Sequence, residues 1–134
     1  MVATDASCLT LTVLEGSMSV ARLAPDAPLP DWLPDRSWYS VTRTVDELSI
    51  VCESRLVPAG VSSNDGWRLL RVEGPLDFSL TGILHRITAP LAAAGISLFA
   101  MSTFDTDYVL VKERDLEDAA AGLMESGLIV RRRD

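Results

Sequence analysis

The sequence has few of the side chains from which metal sites and nucleophilic sites are built. Its 134 residues include one histidine and two cysteines. Cys8 and Cys52 lie far apart in apolar segments, without C-x-x-C spacing, so we expect two reduced, buried thiols and no zinc site. No G-x-S-x-G, H-E-x-x-H or phosphate-binding glycine loop is present. We therefore predict no metal, no cofactor, no catalytic residue and no enzymatic activity.

Basic residues are also scarce. Twelve lysines and arginines stand against 19 acidic residues, and the formal net charge is −7. The one basic cluster, at 131–133, lies at the end of the chain, where a solvated terminus is the ordinary interpretation. Because nucleic acids and anionic membranes are bound through clustered cations, we expect neither as a partner. No apolar run approaches the roughly 20 residues of a membrane span and no leader pattern follows Met1, which favours a cytoplasmic protein.

The first half of the chain contains short strands interrupted by proline. Four segments have the alternation or the β-branched composition that is typical of strands: 9–13, 18–23, 38–44 and 48–53. Four prolines break up 24–36 and leave room for one short helical turn. The stretch 58–66 is rich in glycine and serine, and it is predicted to be a linker.

The second half predicts two helices among four strands, over 67–73, 96–102, 106–112 and 128–130. Apolar residues recur at helical spacing at Leu80, Ile83, Leu84, Ile87 and Leu91. Ser79 is the expected N-cap of this helix and Gly95 its C-terminal glycine, while Asp115 is expected to cap the second helix. The order β-α-β-β-α-β predicts an α+β fold of the ferredoxin-like type, in which two helices cover one face of a four-stranded antiparallel sheet.

An internal repeat extends this fold to the first half. Residues 38–53 align with residues 98–113 at an offset of 60, and both stretches read as strand, acidic corner, strand. Val51/Val111 and Glu53/Glu113 are the identical pairs. The repeat predicts two related modules. Residues 1–60 are predicted to form a degenerate N-terminal module that has lost most of its helices, and residues 61–134 are predicted to form a complete one.

The run STFDTDYVLVKERDL (102–116) and the helix TGILHRITAPLAAAGIS before it (81–97) resemble the ACT domain. They are similar to tandem ACT domain proteins, a group that includes small bacterial members and the CASTOR arginine sensors. SVTRTVDELSIV (40–51) is similar to the small bacterial members. The resemblance implies tandem ferredoxin-like modules that act in regulation, without catalysis, and that bind small molecules, typically amino acids, at interfaces between modules.

Carried onto this sequence, the resemblance implies a ligand site in two parts. One part is the turn and helix start that follow the first strand of the complete module, with Asp77, Phe78, Thr81, Gly82 and Ile83. The other is the hairpin corner, with Thr103, Phe104 and Asp107. In the arginine sensors the acid that matches Asp107 pairs with the cationic side chain of the ligand. The helix start departs from the sensors, because Asp77 and Leu80 stand where they have glycine and glutamate.

Elementary physical chemistry supports such a site. A helix N-terminus offers unpaired N–H groups to a carboxylate, Gly82 removes a side chain that would block approach, and Asp77 or Asp107 suits an ammonium group. Other interpretations stay open. The acids at 105 and 107 are also typical of a solvated corner, Phe78 and Phe104 of core residues, and Gly82 of close packing.

The predicted function is therefore non-catalytic binding of an amino acid, which changes the assembly of the protein or its partner contacts. Since exposed edge strands invite sheet pairing, we expect a homodimer. The second wall of the ligand site would come from another copy or from residues 1–60. One alternative is a ligand-free dimerisation or docking module that regulates a partner enzyme. The other is a small enzyme built around His85, for which the sequence offers no serine or cysteine partner.

Overall fold

The computed structural model describes residues 9–74 and 82–133. Their eight strands are β1 (Thr10–Val13), β2 (Met18–Leu23), β3 (Tyr39–Arg43), β4 (Leu48–Glu53), β5 (Ser62–Val72), β6 (Leu98–Ser102), β7 (Asp107–Lys112) and β8 (Ile129–Arg132). The helices are α1 (Ile83–Ala93) and α2 (Leu116–Glu125), and 3-10 turns cover Ser54–Leu56 and Glu113–Asp115. In this part of the chain no helix has the length and apolar character needed to cross a membrane.

The chain divides into two compact units. We call residues 16–67 the helix-free unit, and residues 9–15 with the described part of 68–133 the helical unit. β5 contributes residues 62–67 to the first and 68–72 to the second. The predicted division after residue 60 stays a prediction, and the compact units differ from it by taking β1 into the helical unit.

The helix-free unit is a sheet of four antiparallel strands in the order β3-β4-β2-β5. Leu48, Ile50 and Cys52 alternate along β4 and belong to one buried cluster, which also contains Leu33 of the proline-rich stretch. That stretch covers the sheet where a helix would otherwise lie, because its prolines exclude a regular helix. The Cys52 thiol is free and buried, as predicted. Burial and the nearby charge of Glu53 raise its pKa to about 11.

The linker predicted over 58–66 is wrong in its second half, because β5 begins at Ser62. Ser62, Ser63 and Asn64 pair with β2 on one side of the strand, and residues 62–65 are exposed. Because this part of the strand is exposed to water, its side chains do not have to be apolar. Its serine, asparagine and glycine content therefore resembles the composition of a loop.

The helical unit has the strand order β8-β1-β5-β7-β6, which corrects the predicted four-stranded antiparallel sheet. β1 lies between β5 and β8, antiparallel to β5 and parallel to β8. When β1 is left out, the order in the helical unit is β8-β5-β7-β6. These strands correspond one by one to β5, β2, β4 and β3 of the helix-free unit. The two units are thus versions of one module, and the predicted α+β fold class with tandem modules is confirmed.

Both helices pack on one face of the helical unit. Ile83, Ile87 and Leu91 of α1 and Leu116, Ala119 and Leu123 of α2 share a core with Leu9, Leu11 and Val13. α1 begins at Ile83 after Gly82, whose φ is 78°. The Ser79 cap and Leu80 lie outside the described residues. Asp115 precedes α2, as predicted, but its side chain makes no capping hydrogen bond.

The two helices end in the same way. After α1, the Gly95 N–H donates to the Ala92 carbonyl and the Ile96 N–H to the Leu91 carbonyl, with N···O distances of 3.0 Å each. Gly127 and Leu128 repeat these bonds after α2, at 3.0 and 3.1 Å. Both glycines have positive φ, 74° and 98°, as this type of helix end requires. The predicted C-terminal role of Gly95 is confirmed.

The repeated hairpin is real, but its offset is 59 and not the predicted 60. Arg43 pairs with Leu48 in one hairpin and Ser102 with Asp107 in the other, so equivalent positions differ by 102 − 43 = 59 residues. The identical pairs at this offset are Thr44/Thr103, Asp46/Asp105 and Arg55/Arg114. Each corner is closed by the same bond, from Thr44 N to Glu47 O at 2.9 Å and from Thr103 N to Thr106 O at 2.8 Å.

Candidate functional site

A surface cleft of about 340 Å³ lies in the helical unit, beside the end of β5 and the corner between β6 and β7. The described residues that line it are Arg71, Glu73, Gly74, Asp105, Thr106 and Tyr108. One cationic and two anionic side chains therefore meet in one cleft, together with a phenol and a hydroxyl group. This mixture of charges suits a small molecule that carries both charges itself.

Strand alternation places the charged side chains on the face of the sheet away from the helices. Leu70 and Val72 enter the helix-covered core, so Arg71 between them and Glu73 after them point to the opposite face. Thr12 of β1 pairs with Arg71 and shares that face. The two described helices pack on the other face, and this end of the sheet carries polar side chains.

Two neighbours hold the Glu73 carboxylate. The Thr12 hydroxyl donates to Glu73 Oε2, and Arg71 Nη2 donates to the same oxygen at 3.2 Å. The Thr12 hydrogen bond, followed by the hydrogen bond and charge of Arg71 and the charge of Arg131, holds the pKa of the Glu73 carboxyl below its usual value, although partial burial acts in the opposite direction. Glu73 is therefore ionised at neutral pH and presents a fixed anion.

The corner is anchored to β5 by Thr106. This residue is 7% exposed, and its hydroxyl donates to the Val72 carbonyl at 2.5 Å. Its backbone carbonyl closes the corner by accepting the Thr103 N–H. Asp105 precedes it in the chain and is exposed, so the anchored Thr106 sets where the Asp105 carboxylate reaches the cleft.

The predicted site residues fall into three groups. Asp77, Phe78 and Thr81 lie outside the described residues. Gly82 is exposed, whereas the Ile83 side chain is buried in the core, which leaves only its backbone for a ligand.

The third group lies at the corner. Thr103 is exposed, and the Phe104 side chain is 80% exposed. Asp107 is half-buried, and its carboxylate accepts the Ser102 hydroxyl at 2.6 Å. The corner thus meets the cleft through Asp105 and Thr106, and the assignment of the predicted residues to a ligand stays a prediction.

The predicted site omitted Arg71 and Glu73, and it also omitted Tyr108, Asp105 and Thr106. A signal for the first two was present, since they alternate with Leu70 and Val72 in a segment predicted as a strand. Period-two alternation of that kind puts opposite charges on one polar face. The position of Tyr108 beside them has no local signal, because it depends on β7 pairing with β5.

The strand order, the two helices on one face and the open polar cleft define the class: a small α+β protein of tandem ferredoxin-like modules. Residues 62–125 match the ACT domain family model. Residues 16–60 match a second family model, which is described as an N-terminal domain. The chain therefore contains an ACT domain over residues 62–125, as the motif at 102–116 predicts.

A solved structure of the protein Atu0741 from Agrobacterium tumefaciens is similar over almost all of the chain. The two share 38% identity and a TM-score of 0.88, with 94% of each chain covered. The regulatory subunit of aspartate kinase from Thermus thermophilus has a TM-score of 0.61 at 10% identity, covering 84% of this chain and 93% of that one. This second likeness shows the fold alone.

The human protein named "Cytosolic arginine sensor for mTORC1 subunit 1" is 49% identical over 53 residues. The match covers 39% of this chain and 16% of the sensor, so this chain corresponds to a small part of that relative.

Proposed function

We propose that this protein is a non-catalytic, cytoplasmic regulatory module that binds an amino acid in the cleft between β5 and the β6–β7 corner. The observation that carries the proposal is the juxtaposition of the Arg71 guanidinium with the carboxylates of Glu73 and Asp105. The ligand carboxylate binds Arg71, and its ammonium group binds the two acids. The ACT domain over residues 62–125 and the match to an amino-acid sensor support the same class of ligand.

Arg71 has the capacity to serve Glu73 and a ligand together. Its hydrogen bonds to Glu73 run through Nη2, whereas a guanidinium carries five N–H donors in a planar fork. The Arg71 side chain is 34% exposed, so it is accessible from the cleft. Charge-assisted hydrogen bonds of this type are about twice as strong as neutral ones, which makes Arg71 the main contributor to affinity.

We propose further that a second copy of the chain closes the cleft. Among the described residues, β3, β6 and β8 each pair with a strand on one side only, and such edges favour pairing with another sheet. A homodimer would cover one of these edges and supply a second wall for the ligand. Ligand binding would then shift the assembly toward the arrangement that it fits better.

The test is thermal unfolding in the presence of each of the twenty amino acids. A ligand at about 100 times its Kd adds about 2.7 kcal/mol, which raises the Tm by roughly 10 °C for a chain of this length. Arg71→Gln should raise the Kd of that ligand about tenfold or more. Arg22→Gln is the matched control, because it removes an exposed arginine that pairs with Glu47 in the helix-free unit. No shift with any amino acid would overturn the proposal.

A second candidate function is docking without a ligand, which the two corner tips favour. Val45 and Phe104 occupy equivalent positions of the repeated corner and are 90% and 80% exposed. Under this function a partner would cover these two side chains. Under this function Phe104→Ser would change the oligomeric mass measured by light scattering, and no amino acid would change the Tm.

A further inference from the structure

The basic cluster at 131–133, which the sequence suggested to be a solvated terminus, is carried by a strand. Arg131 and Arg132 belong to β8, and both pair with residues of β1. The Arg133 N–H extends this pairing, because it donates to the Val13 carbonyl at 3.0 Å. The three guanidinium groups therefore project from a regular backbone at fixed spacing.

The outer side of β8 offers backbone groups to a further strand. Among the described strands, β8 pairs with β1 alone. The N–H groups of Ile129 and Arg133 donate toward the β1 side. Since the backbone groups of successive residues point to opposite sides of a strand, those of Val130 and Arg132 point away from β1. Such an edge is a template for pairing with another chain.

Side chains alternate between the two faces of this edge. Val130 packs against the helix-covered core, and Arg132 shares its face, where Arg132 Nη2 donates to Glu117 Oε2 at 2.7 Å. Arg131 and Arg133 point to the opposite face. The edge therefore presents an apolar side chain on one face and two guanidinium groups, two residues apart, on the other.

Positive charge is in excess on the face that carries Arg131 and Arg133. Thr12 pairs with Arg131 on one side and with Arg71 on the other, so these arginines lie in one row. The acid beside the row is Glu73, which already accepts a hydrogen bond from Arg71. Among the described residues, none forms an ion pair within 4 Å with Arg131 or Arg133. The charge at this edge is thus complementary to an acidic partner.

The same charge argues against a second copy of the chain as the partner of β8. Two β8 strands paired with each other would bring their arginines together, and like charges on paired strands are destabilising. The edge strand β6, Leu98–Ser102, carries no charged side chain. Self-association is therefore opposed at β8 in a way that it is not at β6.

We propose that β8 is a docking edge for an acidic, extended segment of a partner protein. The segment pairs with the outward backbone groups of Val130 and Arg132, and its acidic side chains, two residues apart, lie against Arg131 and Arg133. Apolar side chains between the acids lie beside Val130. The proposal does not depend on a ligand in the cleft at Arg71, and it leaves β3 and β6 for the proposed homodimer.

The experiment is an NMR titration of the uniformly ¹⁵N-labelled full chain with the peptide acetyl-SEVEVES-amide. We expect saturable shifts of the backbone amides over 129–133. Exchange of the Val130 and Arg132 amide hydrogens, fast in the chain alone, should slow with the peptide, because these groups gain acceptors. Acetyl-SEPEPES-amide has the same charge but cannot pair as a strand, and acetyl-SKVKVKS-amide has the opposite charge. Neither should bind.

Variants of the three arginines separate recognition by one face from attraction to the net charge. Arg131→Gln and Arg133→Gln should each raise the Kd of the acidic peptide about threefold. Arg132→Gln is the matched control, because it removes the same charge from the same strand on the face of Glu117, and it should leave the Kd unchanged.

Four results would overturn the proposal. They are the absence of saturable shifts over 129–133, equal binding of the proline peptide, equal weakening by all three arginine variants, and slow exchange of the Val130 amide before peptide is added. The second and third results would show attraction to charge alone. The fourth would show that a second copy of the chain already covers β8.

Discussion

The bond between Thr106 and the Val72 carbonyl offers a direct test of how the cleft is held. Thr106→Val keeps the β-branched shape and removes the hydroxyl, so the Val72 carbonyl loses its buried partner. Leaving a buried acceptor unsatisfied costs about 1–3 kcal/mol, and we expect about 2 kcal/mol because Thr106 is 7% exposed. For a chain of this length the Tm should fall by roughly 8 °C.

Urea unfolding followed by circular dichroism measures this change. The midpoint should fall by about 1 M with the slope unchanged. Thr106→Ser is the matched control, since serine keeps the donor to Val72 and should recover most of the loss. An unfolding midpoint of Thr106→Val equal to that of the wild type, or a Thr106→Ser variant as unstable as Thr106→Val, would refute the reasoning.

The remaining predictions concern Glu73 and two glycines. Thr12→Val removes the first contributor to the lowered pKa of Glu73, which moves that pKa back toward 4.5. The stability that Glu73 contributes is present above pH 4.5 and is lost as the pH falls through the lowered value. The stability gap between wild type and Thr12→Val should therefore be largest at neutral pH and close in acid, as urea unfolding at a series of pH values would show. A gap that widens in acid would contradict this sign. Gly122→Ala in α2 should stabilise by about 0.5–1 kcal/mol, because the added Cβ meets its nearest atom, the Pro90 oxygen, at 3.9 Å. Gly127→Ala should destabilise by about 1–2 kcal/mol, because its φ is +98°. Calorimetry measures both signs. A Gly122→Ala variant less stable than the wild type would contradict the first prediction, and a Gly127→Ala variant as stable as the wild type would contradict the second.

Local sequence patterns were sufficient to predict most of the helices and strands. The stripe of Ile83, Ile87 and Leu91 and the terminal Gly95 report packing and backbone geometry within one helix, so they can be read directly. The succession of strands and helices along the second half of the chain also follows from the alternation of helix and strand patterns.

The predictions that failed concern strand pairing, which depends on residues far apart in the chain. The pairing of Thr10 with Ile129 leaves no trace in either segment, because a short apolar strand has the same composition in any register. The predicted offset of the repeat was wrong by one residue, because it aligned Val51 and Glu53 with the identical residues Val111 and Glu113 and left the two corners out of register. The corner threonines carry the hydrogen bonds that define the register.

The residues of the cleft likewise divide into those that a local pattern predicts and those that depend on strand pairing. Arg71 and Glu73 were accessible from alternation, whereas the convergence of Asp105 and Tyr108 on them requires β7 to lie beside β5. The start of β5 was hidden by its composition, since Ser63 and Asp65 belong to a stretch predicted as a linker.

The position of β1 sets the moment at which the helical unit can be completed during synthesis. β1 is made before the other described strands, and its parallel neighbour β8 is made after them. Until β8 is made, β1 can pair only with β5 among the described strands. A fragment that begins at residue 61 lacks Leu9, Leu11 and Val13, which belong to the core under the helices. Such a fragment cannot complete the helical unit. Separate expression of the second half should therefore yield an incomplete fold, which adding the first fifteen residues as a peptide would repair.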